Sequence, residues 1–383
     1  MSLATFLKRR TKTASPIEEV TDERAYVASQ WQLMWWKFRR HKLAMACGVI
    51  VILMYVVAIF VEPLATYDPE QQDQRQAYRP PTPLHFIDSK GQFHLVPFVY
   101  GTFQKRDLAT LAIVYTDDTS KIYPVHLFMN GAPYKLWGLF PMNWHLFGVD
   151  DPGRVNLFGS DGTGRDVYSR LVYGARISMS VGLFGVMMSF ILGIVLGGIS
   201  GFYGGTIDTL IQRVIEFLRS MPTVPLWMSL SAALPPTWPP LKVYFAITLI
   251  LSLIGWTGLA RVVRGRFLAL REEDFVMAAK ISGSSEMRII LRHMVPSFLS
   301  HIIAALTLAV PDMILSETAL SFLGLGLRYP AISWGVLLQD SQNIRAVATA
   351  PWLLFPGLAV VLAVLSLNFL GDGLRDAADP YAR

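Results

Sequence analysis

The chain is poor in charge. Of its 383 residues only 16% are Asp, Glu, Lys or Arg, against 52% hydrophobic, and the mean hydropathy is +0.40. A water-soluble domain of this size carries more charge, so the composition is that of a polytopic membrane protein. Cysteine is nearly missing too. Cys47 stands alone inside an apolar run, which excludes a disulfide framework and a cysteine-based metal site. No Gly-Lys pair occurs anywhere, so there is no Walker A loop and no ATP site in this chain. The seven histidines are scattered, with no His-Glu-x-x-His and no pair at helical spacing beside a carboxylate. No Gly-x-Ser-x-Gly elbow is present. These absences leave no catalytic, cofactor or metal constellation, and no enzymatic activity is expected.

The charge that does occur is unevenly placed. Residues 1–42 hold nine basic and four acidic side chains, and residues 261–292 hold seven and four. Residues 65–168 hold nine basic and eleven acidic. Basic segments beside apolar runs mark the cytoplasmic side of a membrane; they are not the basic face of a nucleic-acid binder.

Read in order, residues 1–30 are polar, without hydrophobic period, and are expected to be mobile. Trp31, Trp35 and Trp36 with Lys37, Arg39, Arg40 and Lys42 form an interfacial anchor that closes a cytoplasmic segment 1–42. The first spanning helix occupies 43–64 and is retained as an anchor. Residues 65–168 are turn-rich and aromatic, with alternating stretches at 94–100, 111–115 and 122–129. They predict a partly β extracytoplasmic insert. Five further spans follow, at 177–200, 207–234, 244–259, 297–314 and 352–370, within a permease-like core of 169–374; a tail of 375–383 ends the chain. Gly193, Gly197 and Gly201 are four apart and predict a close helix contact. The 207–234 span is broken at Met221-Pro222. It carries Arg213, Glu216 and Arg219, for which pairing of Glu216 with either arginine is favoured over a transport role. Asp312 and Glu317 are expected at the water boundary. An even number of spans puts both termini on the cytoplasmic side.

The most informative stretch is 261–296, the one long charged segment between apolar runs. Two short helices are predicted there. The first runs over roughly 272–282, with Ala278, Ala279 and Gly283 as a small-residue surface and Gly283 as its terminator. Ser284 or Ser285 caps the second, which places Met287, Ile290, Leu291 and Met294 on one stripe and Arg288 and Arg292 on another face. Pro296 opens the following helix. Spacing alone leaves two readings open, an amphipathic loop on lipid or an elbow that offers a surface to a partner.

The pattern Ala278-Ala279-x-x-x-Gly283, followed by His293-Met294-Val295-Pro296, resembles the "EAA" loop of type I ABC importer permeases, with Met277 where that family has its leading Glu. The string at 159–178, GSDGTGRDVYSRLVYGARIS, is similar to one typical of C-type permease subunits of dipeptide and oligopeptide importers. By its glycines alone it suggests a phosphate loop; a tight turn with snorkelling Arg170 and Arg176 is the better physical reading. Tyr67-Asp68-Pro69, the 321–327 segment and the LGDGLRDAADP string near the end resemble the same family. The resemblance implies an all-α polytopic fold of six helices and a permease that imports di- or oligopeptides. It implies a homologous second permease subunit, two cytoplasmic ATP-binding subunits carrying ATP and Mg, and an extracytoplasmic peptide-binding protein, all at a bacterial cytoplasmic membrane. Glu273, Phe275, Met277, Ala278, Ala279, Gly283, Met287, Arg288, Arg292 and Pro296 then form the loop that couples to the ATPase. A stand-alone ion-coupled carrier or channel is the alternative; it calls for ionisable residues deep in several spans.

Overall fold

The computed structural model describes residues 29–106 and 113–378. The expected mobility of residues 1–28 and the tail residues 379–383 lie outside the described residues. A helix α1 (Gln30–Arg40) opens on Ser29, whose hydroxyl and Gln32 side chain form a reciprocal capping box, and it ends in Lys37, Arg39 and Arg40. Helix α2 (Lys42–Ile59) is apolar almost throughout. The chain then turns through Val61–Leu64 into an antiparallel four-stranded meander, β1 (His85–Ile87), β2 (Phe93–Arg106), β3 (Ile113–Leu136) and β4 (Phe140–Val149), in sequential order. Its core is small, built on Val99, Val125, Val149 and Val155.

Helix α3 (Val167–Tyr203) is followed by α4 (Gly205–Ser220) and α5 (Thr223–Ala232). Then come α6 (Pro240–Leu270), α7 (Asp274–Ile281), α8 (Leu299–Phe322), the short α9 (Trp334–Leu338) and α10 (Phe355–Ala378). Among the described residues five helices are long and apolar enough to cross a membrane, over Lys42–Ile59, Val167–Tyr203, Pro240–Leu270, Ile302–Phe322 and Pro351–Ala378. The sixth expected span, 207–234, is two helices parted by Met221-Pro222. At about 1.5 Å per residue neither crosses a hydrocarbon layer about 30 Å thick. Proline denies the backbone donor that would carry α4 onward, so the break lies where the sequence places it.

The bundle closes on small residues. A β-carbon at Gly193 would stand 2.9 Å from Leu259, and one at Gly201 would stand 2.6 Å from the β-carbon of Phe267 and 2.7 Å from the Arg264 carbonyl. The glycines thus let α3 and α6 approach closely, as their spacing predicts. At the end of the bundle that carries the sheet, Arg176 of α3 makes a two-pronged pair with Glu62, at 2.7 and 2.8 Å, and donates to the carbonyls of Ala58 and Ile59. The tip of the β3–β4 hairpin reaches the same place: the Trp137 indole donates to the Ile59 carbonyl at 2.8 Å. His145 sets its ring nitrogens 2.7 Å from the Ala65 carbonyl and 2.9 Å from that of Ala132.

Glu317 corrects an expectation. It is fully buried, not at a water boundary. Its carboxylate accepts from the hydroxyls of Ser321 at 2.7 Å, Ser333 at 2.8 Å and Ser178 at 3.4 Å. Ser178 in turn accepts from the Trp334 backbone N–H at 3.0 Å. A carboxyl group inside a membrane bundle persists where hydrogen-bond partners surround it, and sequence spacing does not reveal three serines drawn from α3, α8 and the cap of α9.

A pair of substitutions tests the packing. Gly201→Ala, which meets Phe267, should lower the thermal stability of the detergent-purified protein by about 1–3 kcal/mol. Gly265→Ala, where a β-carbon meets nothing within 4 Å, should hold or raise it.

Candidate functional site: an elbow at one end of the helix bundle

The elbow is suspended from the end of the bundle opposite the sheet. Helix α6 runs from its apolar part into Arg261, Arg264, Arg266 and Arg271. Arg264 is held by Asp208 of α4 in a two-pronged pair, each prong 2.5 Å. Asp208 also accepts from the Ser200 hydroxyl at 2.5 Å. This pairing locks the ends of α3, α4 and α6 together before the chain turns into α7.

Helix α7 starts after Glu273 and has Asp274 in its first turn and Lys280 in its last, the arrangement the helix dipole favours. It ends as its sequence predicts. Gly283 adopts φ +74°, the Ser284 N–H bonds the Ala279 carbonyl, and the Gly283 N–H bonds that of Lys280. That is the Schellman termination, which a glycine accommodates at least cost. Lys280 lies over the Phe202 ring at 5.2 Å, and Tyr203 donates to Glu286 at 2.6 Å. Both contacts tie the elbow to the end of α3. The carboxylate of Glu286 is therefore engaged by a tyrosine, and neither Ser284 nor Ser285 caps the second helix with its side chain.

That second helix is wound differently from the expectation. Residues Glu286–Arg288 are α-helical, but Ile289–Met294 is a π-turn. The wider winding rotates the buried stripe to Ile289, Ile290 and Met294, which pack with Val263, Phe267, Val276, Ala279, Phe298 and Ile302. Met287 and Leu291 consequently leave the stripe and stand 62% and 57% exposed. A π-turn is an insertion in helical register that 3.6-residue counting cannot see. Ala279 needs a second correction: it faces this chain's own core, so the small-residue surface reduces to Ala278 and Gly283. Glu273, Phe275, Met277, Arg288, Arg292 and Pro296 are exposed as well, and Ile281, which sequence reasoning passed over, is 85% exposed. The elbow thus exposes the apolar side chains Phe275, Met277, Ile281, Met287 and Leu291, with Glu273, Asp274, Lys280, Arg288 and Arg292 exposed among them. Large apolar side chains gathered on a surface mark a binding face.

The other expected grouping is looser. Arg213 and Glu216 pair at 2.8 Å across one turn of α4, both exposed, and Arg219 reaches toward Gly258 of α6. Sequence reasoning missed the tighter constellation at the start of α3. There Asp161 accepts from the Thr163 backbone N–H and hydroxyl, each at 2.8 Å, from Arg165 Nε at 2.7 Å, and from buried Arg170. Arg170 therefore does not snorkel; burial forces it to find a carboxylate. Burial alone would raise the Asp161 pKa, but the charges of Arg170 and Arg165 outweigh it and hold the carboxyl below its ordinary range. Asp166, capping α3 through Ser169, is pushed the other way by burial. Gly159 and Gly164 of this string take positive φ in the turn before α3, and Gly174 lets Trp334 pack against that helix.

Comparison with known proteins places this architecture. The family described as "Binding-protein-dependent transport system inner membrane component" matches residues 193–383, and "N-terminal TM domain of oligopeptide transport permease C" matches residues 29–81. The dipeptide transport system permease protein DppC of Alkalihalophilus pseudofirmus is 42% identical over 233 residues, spanning 61% of this chain and 74% of that one. The oligopeptide transport system permease protein OppC of Haemophilus influenzae is 41% identical over 229 residues, 60% of this chain and 71% of that one. The chain belongs to this family of binding-protein-dependent inner-membrane transport components. The elbow falls within the family match, whereas the sheet, β1 to β4, lies between the two matched regions. The fold is accordingly that of a mostly helical, multi-pass membrane component.

The elbow's two kinds of apolar residue predict different outcomes. Ala279→Asp, which puts a charge against Phe267 and Val276, should cost about 3 kcal/mol or more and lower the melting temperature sharply. Ile281→Asp, at an exposed site, should shift it by no more than about 0.5 kcal/mol.

Proposed function

We propose that this chain is the membrane permease subunit of an ABC importer that carries di- or oligopeptides across a bacterial cytoplasmic membrane, driven by ATP hydrolysis on partner subunits. The observation that carries the reading is the elbow: exposed apolar side chains, Met287 and Leu291 among them, presented at the end of a bundle that holds no nucleotide motif of its own. Relatives named as dipeptide and oligopeptide permeases, 36–42% identical among those most similar, support the peptide cargo. Two ATP-binding subunits, with their ATP and Mg, sit at the cytoplasmic face, and one of them docks at this elbow. A homologous second permease completes the path. A peptide-binding protein delivers cargo on the opposite face, where exposed Phe93 and Leu95 of the sheet offer it an apolar surface. With α4 and α5 together carrying the chain back to the sheet end, so that α6 runs parallel to α3, both termini are cytoplasmic in this arrangement.

The mechanism follows from how the elbow is fastened. Closure of the ATPase pair pulls on residues 275–292. Val276, Ile289 and Met294 transmit the pull to α6 and α8 through their shared core, and Lys280 and Glu286 transmit it to α3. A packed unit of this kind moves as a body, so the pull rocks the helices between inward-open and outward-open arrangements. Arg288 and Arg292 steer an acidic partner surface toward Met287 and Leu291.

The test uses the assembled transporter in proteoliposomes. Met287→Asp and Leu291→Asp should each reduce ATP-driven peptide uptake by about tenfold or more, while the variant chain still inserts and melts like wild type. Uptake at the wild-type rate in both variants would contradict the reading, as would ATP-independent uptake by the purified chain alone.

A further inference from the structure

Asp312 occupies a position no lipid-facing residue tolerates. It sits in α8 next to Met313, which packs against Gly185 midway along α3, so it lies near mid-height of the bundle and not at the water boundary expected from the sequence, and its side chain is exposed. The exposed faces of the other spans are different in kind. On α2 they present Val49, Ile52, Leu53 and Val56, and on α10 Leu358, Val361, Leu362 and Leu365. Those are surfaces for lipid. The same face of α8 carries Ala305, Ala309, Asp312, Ser316 and Ala319 at helical spacing, with Leu308 and Leu315 its larger members, so it is smaller and more polar than those surfaces. The Ser316 hydroxyl donates to the Asp312 carbonyl at 2.7 Å, so that hydroxyl is turned to the backbone and leaves the carboxylate free to face outward.

A carboxylate at mid-membrane depth has to face water or protein, because hydrocarbon disfavours it strongly. Ala309, Ser316 and Ala319 leave room on one side of it, while Leu308 and Leu315 flank the other. A second charged side chain stands near this level: Arg219 reaches Gly258 of α6, one turn from Gly255, which meets Met313 of α8, the residue next to Asp312. Charges of both signs near the middle of a bundle, on faces this chain does not cover, describe the wall of an aqueous path.

We propose that Asp312 lines the translocation path at mid-membrane and receives the cationic end of the cargo, the free α-ammonium group of a peptide. The assignment rests on the peptide-importer reading above and adds to it a recognition residue. A compact ammonium with three donors fits a single exposed carboxylate with Ala309, Ser316 and Ala319 beside it. The role is passing recognition: binding has to be strong enough to draw the cargo in and weak enough to release it.

Two measurements on the reconstituted transporter decide it. In a Cys47→Ser background, Asp312→Cys should react with a membrane-impermeant methanethiosulfonate reagent; an assembled transporter whose thiol stays unreactive in both ATP-bound and nucleotide-free states overturns the placement. In uptake assays, a dipeptide with a free amino terminus should be preferred over its N-acetylated counterpart. Asp312→Asn should reduce that preference by about tenfold, chiefly through KM, and Asp312→Glu should retain it. A preference unchanged in Asp312→Asn rules the recognition role out. A wild-type complex that imports no peptide would instead overturn the proposed function, and thiol reactivity still reads the aqueous wall independently of cargo.

Discussion

The arrangement depends on one close approach, that of α3 to α6 along Gly193, Gly197 and Gly201. Lipid supplies no hydrophobic drive for helices to associate, so van der Waals contact at short range has to hold them, and glycine is what permits that range. The contact places Phe267 against α3 and sets Arg264 opposite Asp208. From there the chain leaves the bundle and folds into the elbow. Had the two helices stood farther apart, Val276 and Met294 would have had no common core to enter, and the elbow would be a tethered loop.

The second constraint is the cost of charge away from water. The structure meets it by pairing. Glu62 takes Arg176, Asp161 takes Arg165 and Arg170, and Glu317 takes three serine hydroxyls. The Glu62–Arg176 pair and the Glu317–Ser178 bond join elements distant in sequence and so fix the geometry of one end of the bundle, whereas the ties of Asp161 close a local turn. Replacing such a pair by apolar groups often costs little, whereas removing one partner costs much, so their value here lies in specifying which helix meets which. Asp312 and Arg219 stand apart from this pattern. Both lie on helix faces that this chain leaves exposed.

Much of this was legible in the sequence because it rests on local rules. Gly283 ends α7 because a positive φ is needed at that point, and Met221-Pro222 breaks the 207–234 segment because proline lacks a donor. The glycine spacing announced a close helix contact without naming its partner. What stayed hidden was set by tertiary contact or by irregular winding. Nothing local to Arg170 says that Asp161 will bury it, and nothing local to Glu317 points to Ser333. The π-turn at Ile289–Met294 shifted Met287 and Leu291 from the core face to the surface, which turned the expected stripe into part of the docking face. The sheet was expected only as partly β, because its core is small and many of its apolar residues, Leu95 and Leu139 among them, lie exposed, so alternation along its strands is weak.

The central claim is that force enters this chain through the elbow from an ATP-hydrolysing partner. Placing a photo-crosslinking amino acid at Ile281 of the assembled transporter, and identifying the adduct by mass spectrometry, tests it most directly. The account predicts a covalent product with the ATPase subunit, and none when the same probe is placed at Leu95 on the sheet. An Ile281 adduct with the extracytoplasmic binding protein, or an ATPase adduct formed from Leu95, would contradict it.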